Sequence, residues 1–218
     1  MNRNNKFVIT INRELGSGGR TVGRKLAAQL GVDFYDKALL KELQEKYQLT
    51  EEEIERLKGR DQSWWATLKR TMSGPNAVDT FFVTTKDGRF GLLETEEVFR
   101  AETEILKSIA KEESCVIAGR SGFYVFRDHP NHLSILIQAS MPCRVTRVAR
   151  KQNLTKEEAR AVIEKVDKMR ENYVNTFART SRYDTRNYQL VINMDELTED
   201  DAVALIMGYI NAMGNEKK

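Results

Sequence analysis

Cysteine, proline and long apolar runs are what this 218-residue chain has least of. Its two cysteines, Cys115 in an apolar run and Cys143 directly after a proline, are too few for a disulfide framework and lack metal-ligand spacing. Both are expected as reduced thiols in or near the core. With only 3 prolines and 13 glycines, collagen-like and low-complexity classes are excluded. No apolar run approaches the roughly 18 residues that a bilayer span requires. The polar start, Met1 to Lys6, leads into Phe7 to Ile11, which Asn12 and Arg13 cut off before a signal-peptide core could form. A cytoplasmic protein with no membrane partner is expected. Charge of one sign is also missing: 35 Lys and Arg stand against 32 Asp and Glu, interspersed, for a net +3 and no polybasic tail that would suggest nucleic acid. What remains, 40% hydrophobic and 31% charged, suits one globular α/β domain around one sizeable core.

Strand and helix patterns alternate along the chain. Phe7 to Asn12 is a β-rich run that stops at a glycine cluster, after which Val22, Leu26, Ala27 and Leu30 recur at helical spacing up to Gly31. Asp36 can cap a helix reaching about Tyr47, and Thr50 with Glu53 makes a capping box for a helix over 51–60. Thr80 to Phe90, turning at Asp87-Gly88, predicts a small hairpin. A long amphipathic helix follows from Glu94 to Glu112. Cys115 to Ala118 and Leu133 to Ile137 are buried strands, and the second feeds a helix from Pro142 to about Gln152. Thr155 and Glu158 box the start of a helix that runs from Lys156 to about Tyr173. Residues 175–187 are polar and Arg-rich without a period, Leu190 to Asn193 is the last strand, and a helix closes the chain at about Met213. His129 and His132, around Pro130-Asn131, read as surface loop residues. Strands alternating with crossover helices predict a parallel sheet covered on both faces, with ligands at the carboxyl ends of its strands.

The sharpest motif is Arg13-Glu14-Leu15-Gly16-Ser17-Gly18-Gly19-Arg20-Thr21, between the first strand and its helix. Glycines there let backbone N–H groups turn inward as an anion nest, and the helix start adds its positive end, a fit for a polyphosphate. Arg13 and Arg20 can add charge, and Thr21 a hydroxyl for Mg²⁺. No Gly-Lys-Ser/Thr follows, so the run is not a consensus P-loop. A second constellation, Gly119-Arg120-Ser121-Gly122, puts an arginine at a strand end between glycines, where it can grip a phosphate or carboxylate, or pair with a structural acid. Arg144, Arg147, Arg150, Arg160, Arg170, Arg179, Arg182 and Arg186 crowd the later third, some on solvated faces and some suited to a lid over phosphates.

Together, the run from Ile9 to Gly23, Phe34-Tyr35-Asp36-Lys37, Val116 to Gly122 and Tyr188 to Asn193 resemble the cytidylate kinase-like family of P-loop nucleoside monophosphate kinases, over about Phe7 to Ile210. The resemblance implies an adenylate-kinase-like α/β fold in a single domain over 1–218, with an acceptor-binding insertion at 48–92 and a lid at 150–187. It implies ATP and Mg²⁺, with CMP or dCMP as acceptor. Arg13, Gly16, Ser17, Gly18, Gly19, Arg20 and Thr21 would hold the ATP phosphates, with Thr21 on the metal. Asp36, Arg120, Asp167 and Arg170 would face the acceptor, and Arg20, Arg147, Arg150 and Arg170 would serve transfer. Three positions depart from the pattern: Gly19 stands where the P-loop lysine would be, Ser121 replaces the Asp after Gly-Arg, and Ile163 replaces the first lid arginine. Those losses keep open a nucleotide-binding regulatory protein, and the long insertion keeps open a kinase of another small metabolite.

Overall fold

A computed structural model describes residues 1–36, 39–40, 49–60, 65–66 and 96–215. They divide into two compact units, Met1–Asp36 with Glu113–Lys218, and Lys37–Glu112. The helix expected to end at Tyr47, apart from Leu39 and Leu40, and the hairpin over 80–90 lie outside the described residues.

The larger unit is built on five parallel strands: β1 (Val8–Arg13), β2 (Asp33–Asp36), β3 (Cys115–Ala118), β4 (His132–Gln138) and β5 (Leu190–Asn193), in the order β2-β3-β1-β4-β5. Central β1 pairs with both β3 and β4, so that Ile9 lies opposite Val116 on one side and Leu133 on the other. These three are mostly apolar, broken by the buried Thr10 and Ser134, because both of their faces are covered, and Ile9, Ile11, Val116, Ile117, Leu133 and Ile135 are fully buried. On such strands β-branched side chains fill a pleated surface that water never reaches.

Around the sheet lie α1 (Gly19–Leu30), α4 (Gly122–Val125), α5 (Met141–Gln152), α6 (Lys156–Ala178) and α7 (Glu199–Asn215). Val22, Leu26 and Ala27 of α1 join Ala202, Val203, Ile206 and Ile210 of α7 in one core beneath β1 and β4. A separate apolar seam, Val145 and Val148 with Ala159 and Ile163, joins α5 to α6. The smaller unit contains α2 (Glu51–Arg60), which packs on α3 (Glu96–Glu112). No helix among the described residues is long and apolar enough to cross a membrane.

Four details differ from the sequence reading. Asp33–Asp36 is a strand; its polar ends mask a pairing that β3 completes from outside. Gly122–Val125, to which the sequence reading assigned no element, is a helical turn. Helix α6 continues to Ala178, because Val174 and Ala178 are buried and Phe177 lies against Tyr173 at 4.9 Å. His132 is no surface loop residue: it opens β4 and shares a 2.7 Å hydrogen bond with Thr10 Oγ1. Both cysteines are free thiols, Cys115 buried and Cys143 partly so.

Candidate active site

The connection from β1 leaves the sheet toward β2, and that from β4 leaves toward β5. The carboxyl ends of β1 and β4 therefore bound the crevice where a parallel sheet takes its ligand. The loop after β1 fills it. Gly16 and Gly18 both have φ of +86°, which an L side chain rarely adopts, and they turn successive peptide units inward. Among the described residues the N–H groups of Gly16, Gly18, Gly19 and Arg20 donate to nothing. Four donors thus face one concavity at the start of α1, an arrangement that binds anions. A Cβ at Gly18 would sit 3.1 Å from both Arg147 Nη1 and Glu199 Oε1, so any larger residue would fill the cradle.

The loop is braced from below and behind. Ser17, expected against phosphate, is turned inward: its hydroxyl and its N–H both donate to the Glu14 carbonyl, at 3.0 and 3.3 Å, and it is fully buried. Glu14 accepts from the Ala139 N–H at 3.0 Å, tying the loop to the end of β4. Helix α5 starts with Ser140 accepting from Cys143 N and with proline in its first turn, which presents Arg144 and Arg147 to the loop. Arg147 donates to the Ser17 carbonyl at 2.9 Å, and Arg144 to that of Leu15 at 3.5 Å.

A buried ionic hub joins the loop to α6. Asp167 accepts from the Leu15 N–H at 3.0 Å and from Arg144 Nη1, while Arg170 and Arg182 each approach it to 3.6 Å. Its carboxylate is spent within the chain and lies only 8% exposed, so the acceptor-facing role expected of Asp167 is replaced by that of a clamp. Arg182 is fully buried and donates to the carbonyl of Arg13, as does Arg170 at 3.1 Å. Asn12 holds this corner through Tyr188. Burial, with Arg182 next in weight, lowers the Arg170 guanidinium to about 10.

On the other side of the loop, Arg20 Nε donates to Asp36 Oδ2 at 2.6 Å at the end of β2. Arg13 rises from the end of β1 toward Gly119, and its pKa is lowered to about 9, chiefly by burial, then by Arg170, with Asp36 opposing and Arg182 and Arg20 adding. Beyond it Gly119, Arg120 and Ser121 have φ of +86°, +54° and +51° in succession. Two consecutive non-glycine residues in the left-handed region cost roughly 1–3 kcal/mol each and persist where the surroundings over-determine them. Here the Arg120 guanidinium lies 4.5 Å from the Tyr173 ring of α6, a cation–π contact that anchors it.

The carboxyl edge thus collects Arg13, the 16–20 loop, Asp36, Arg120, Arg147, Asp167 and Arg170. Thr21 lies exposed in the first turn of α1. Arg150 is not brought in: it is exposed in the last turn of α5, about 1.7 turns beyond Arg144 and so on another face. Arg179 is an exposed helix cap at φ +52°. Sequence reading named Arg144 and Arg182 among the arginines of the later third but gave neither of them a site role. In the smaller unit, a hollow of about 330 Å³ is lined by Glu55, Phe99, Arg100, Thr103, Glu104 and Lys107. Its two acids balance its two bases, so it exerts no net pull on a phosphorylated acceptor.

A strand, glycine cradle and helix on a parallel sheet of this order define an α/β fold of the P-loop kinase class. The chain belongs to the cytidylate kinase-like family, whose model matches residues 8–196. A solved structure of an uncharacterized protein from Eubacterium ventriosum is similar over 94% of this chain and 99% of its own, at 24% identity and a TM-score of 0.66. Shikimate kinase from Bacteroides thetaiotaomicron shares the fold over 94% of this chain and 98% of its own, at 15% identity and a TM-score of 0.50. A search of curated proteins finds no match. Family and fold together support a kinase of a nucleotide or small metabolite.

Proposed function

We propose that the protein transfers the γ-phosphoryl group of ATP to a nucleoside monophosphate, CMP or dCMP foremost, in the cytoplasm. The observation that carries this reading is the cradle of four unbonded N–H groups at Gly16, Gly18, Gly19 and Arg20, ringed by guanidinium groups. The cradle would take the β- and γ-phosphates of ATP. Arg120 would meet the acceptor phosphate, with Asp36 and Arg20 beside it, while Arg147 and Arg170 would screen the charge that shifts during transfer. The bond from the γ-phosphorus to the ADP oxygen breaks as a bond to an oxygen of the acceptor phosphate forms, so positioning and charge neutralisation carry most of the rate. The exposed Thr21 hydroxyl in the first turn of α1 is the side-chain oxygen that would hold magnesium, which keeps few protein ligands and, when bound, would supply charge neutralisation. Asp167 would act by positioning, holding Arg144 and the loop in register.

A specific observation also favours a binding protein without transfer: Gly19 stands at the lysine position, and Arg170 and Arg182 both rest on a backbone carbonyl. ADP release from Mg·ATP measured against CMP, dCMP, UMP, AMP and shikimate decides between the two. Turnover on CMP that falls at least 100-fold in Arg20→Ala is expected. Arg120→Ala should raise the acceptor KM far more than that of ATP. ATP binding without turnover on any acceptor would overturn the kinase reading in favour of the binding protein, and turnover on shikimate alone would overturn the nucleotide acceptor.

A further inference from the structure

The residue standing at the P-loop lysine position is Gly19, and its surroundings explain why it has no side chain. A Cβ there would lie 2.7 Å from Arg13 Cβ, 3.3 Å from Arg13 Cγ and 3.2 Å from Ile137 Cβ. The first two atoms are the stem of one arginine, fixed at the end of a central strand, and the third belongs to the neighbouring strand; none is the free end of a flexible chain. A lysine at 19 and an arginine at 13 therefore claim the same space. The head of Arg13 continues over Gly119, where a Cβ would collide with its Nη1. One arginine thus accounts for two glycines, one on each side of it.

The course of that side chain is informative. It starts from the last residue of β1, crosses the first residue of α1, and ends between the loop and the Gly119-Arg120 turn. Its charge is opposed by Arg170, Arg182 and Arg20 and supported by Asp36. In the reading proposed above it ends in the space between the donor and acceptor phosphates. In consensus P-loops the lysine reaches the β- and γ-phosphates from the position of Gly19. We infer that Arg13 and Gly19 form a reciprocal exchange, in which the phosphate-tracking cation has moved from the first residue of the helix to the last residue of the strand. The inference rests on the phosphoryl-transfer reading and deepens it, since it names the group that meets the transferring phosphoryl. Arg13 gives and takes no proton in that step; it holds charge while the phosphorus–oxygen bond to ADP breaks and that to the acceptor forms. Its pKa is lowered to about 9 chiefly by burial and then by Arg170, while Asp36 opposes the shift.

Five chains test this: the wild type, Arg13→Gly, Arg13→Met, Gly19→Lys and the double variant Arg13→Gly with Gly19→Lys, each measured by calorimetric Mg·ATP binding and by melting temperature. Arg13→Gly should weaken Mg·ATP roughly 10- to 100-fold, the loss expected for a bidentate charged pair. Gly19→Lys alone should lower the melting temperature and the affinity, and the double variant should recover both, to within about 3-fold of the wild-type Kd. Arg13→Met, which keeps the stem and drops the charge, should match the affinity loss of Arg13→Gly without disturbing packing. Arg13→Gly or Arg13→Met binding Mg·ATP as tightly as the wild type overturns the role of Arg13. Gly19→Lys as harmless with Arg13 present as without it overturns the exchange. A wild type that binds no triphosphate instead fails the kinase reading itself, while the melting temperatures still report whether 13 and 19 compete.

Discussion

The two ends of the sheet are finished differently. At the amino ends of β1, β3 and β4 the polar groups close on one another: Asn131 donates to the carbonyls of Asn2 and Lys6 at 2.7 and 2.9 Å, Asn2 N–H returns to Asn131 Oδ1 at 3.0 Å, and Phe7 N–H donates to Ser114 Oγ at 3.2 Å. At the carboxyl ends the loop N–H groups are open, Arg120 and Ser121 are held at positive φ, and Arg182 Nε and Nη1 are buried without a hydrogen bond. Unmet donors and backbone strain cost stability and persist where a ligand or a catalytic geometry repays them. One end is hemmed by its own hydrogen bonds, and the other leaves its loop donors open.

Breaking the open end at its hub should have the largest effect. Asp167→Ala strands Arg144 and Arg182 in the interior and is expected to cost about 3–5 kcal/mol in urea unfolding. A loss below about 1 kcal/mol would show that the hub carries no weight.

Acid should break the hemmed end next. Burial, reinforced by His129, lowers His132 to about 4 from its ordinary value of 6.5. Between those values the unfolded chain binds a proton that the folded chain does not, so stability rises with pH across this window and is lost as pH falls from 6.5 toward 4, by up to about 3 kcal/mol. His132→Gln should flatten the melting-temperature profile over that range; an unchanged slope would remove His132 as its source.

Gly119→Ala tests the strained turn. The left-handed φ alone costs an L side chain about 1–2 kcal/mol, and the methyl group would push the end of Arg13 aside. Acceptor turnover should fall further than stability, and equal losses would mark the turn as merely structural. The smallest effect is expected away from both ends. Thr155→Ala removes the capping box of α6 and should cost about 1 kcal/mol with no change in Mg·ATP affinity.

The elements were legible in the sequence wherever the signal was local. Apolar runs marked β1, β3 and β4, Thr155 and Glu158 marked the start of α6, and Gly16 to Gly19 marked the loop. Strand β2 was not legible, since Asp-Phe-Tyr-Asp becomes a strand only through its pairing with β3. Nor was the sorting of arginines. Arg150 and Arg182 look equivalent in the chain, yet one is exposed at a helix end while the other is fully buried beside Asp167.

The sequence by itself determined most of the alternation of strands and helices, the glycine loop and the family, because periodicity, capping and glycine placement act over a few residues. Only the tertiary structure decided what the loop contains. That Ser17 turns inward, that Asp167 is consumed by arginines, and that Gly19 is small because Arg13 lies across it all depend on residues brought together from distant parts of the chain or across a turn. Such contacts are fixed by sheet pairing and close packing, which no local pattern encodes.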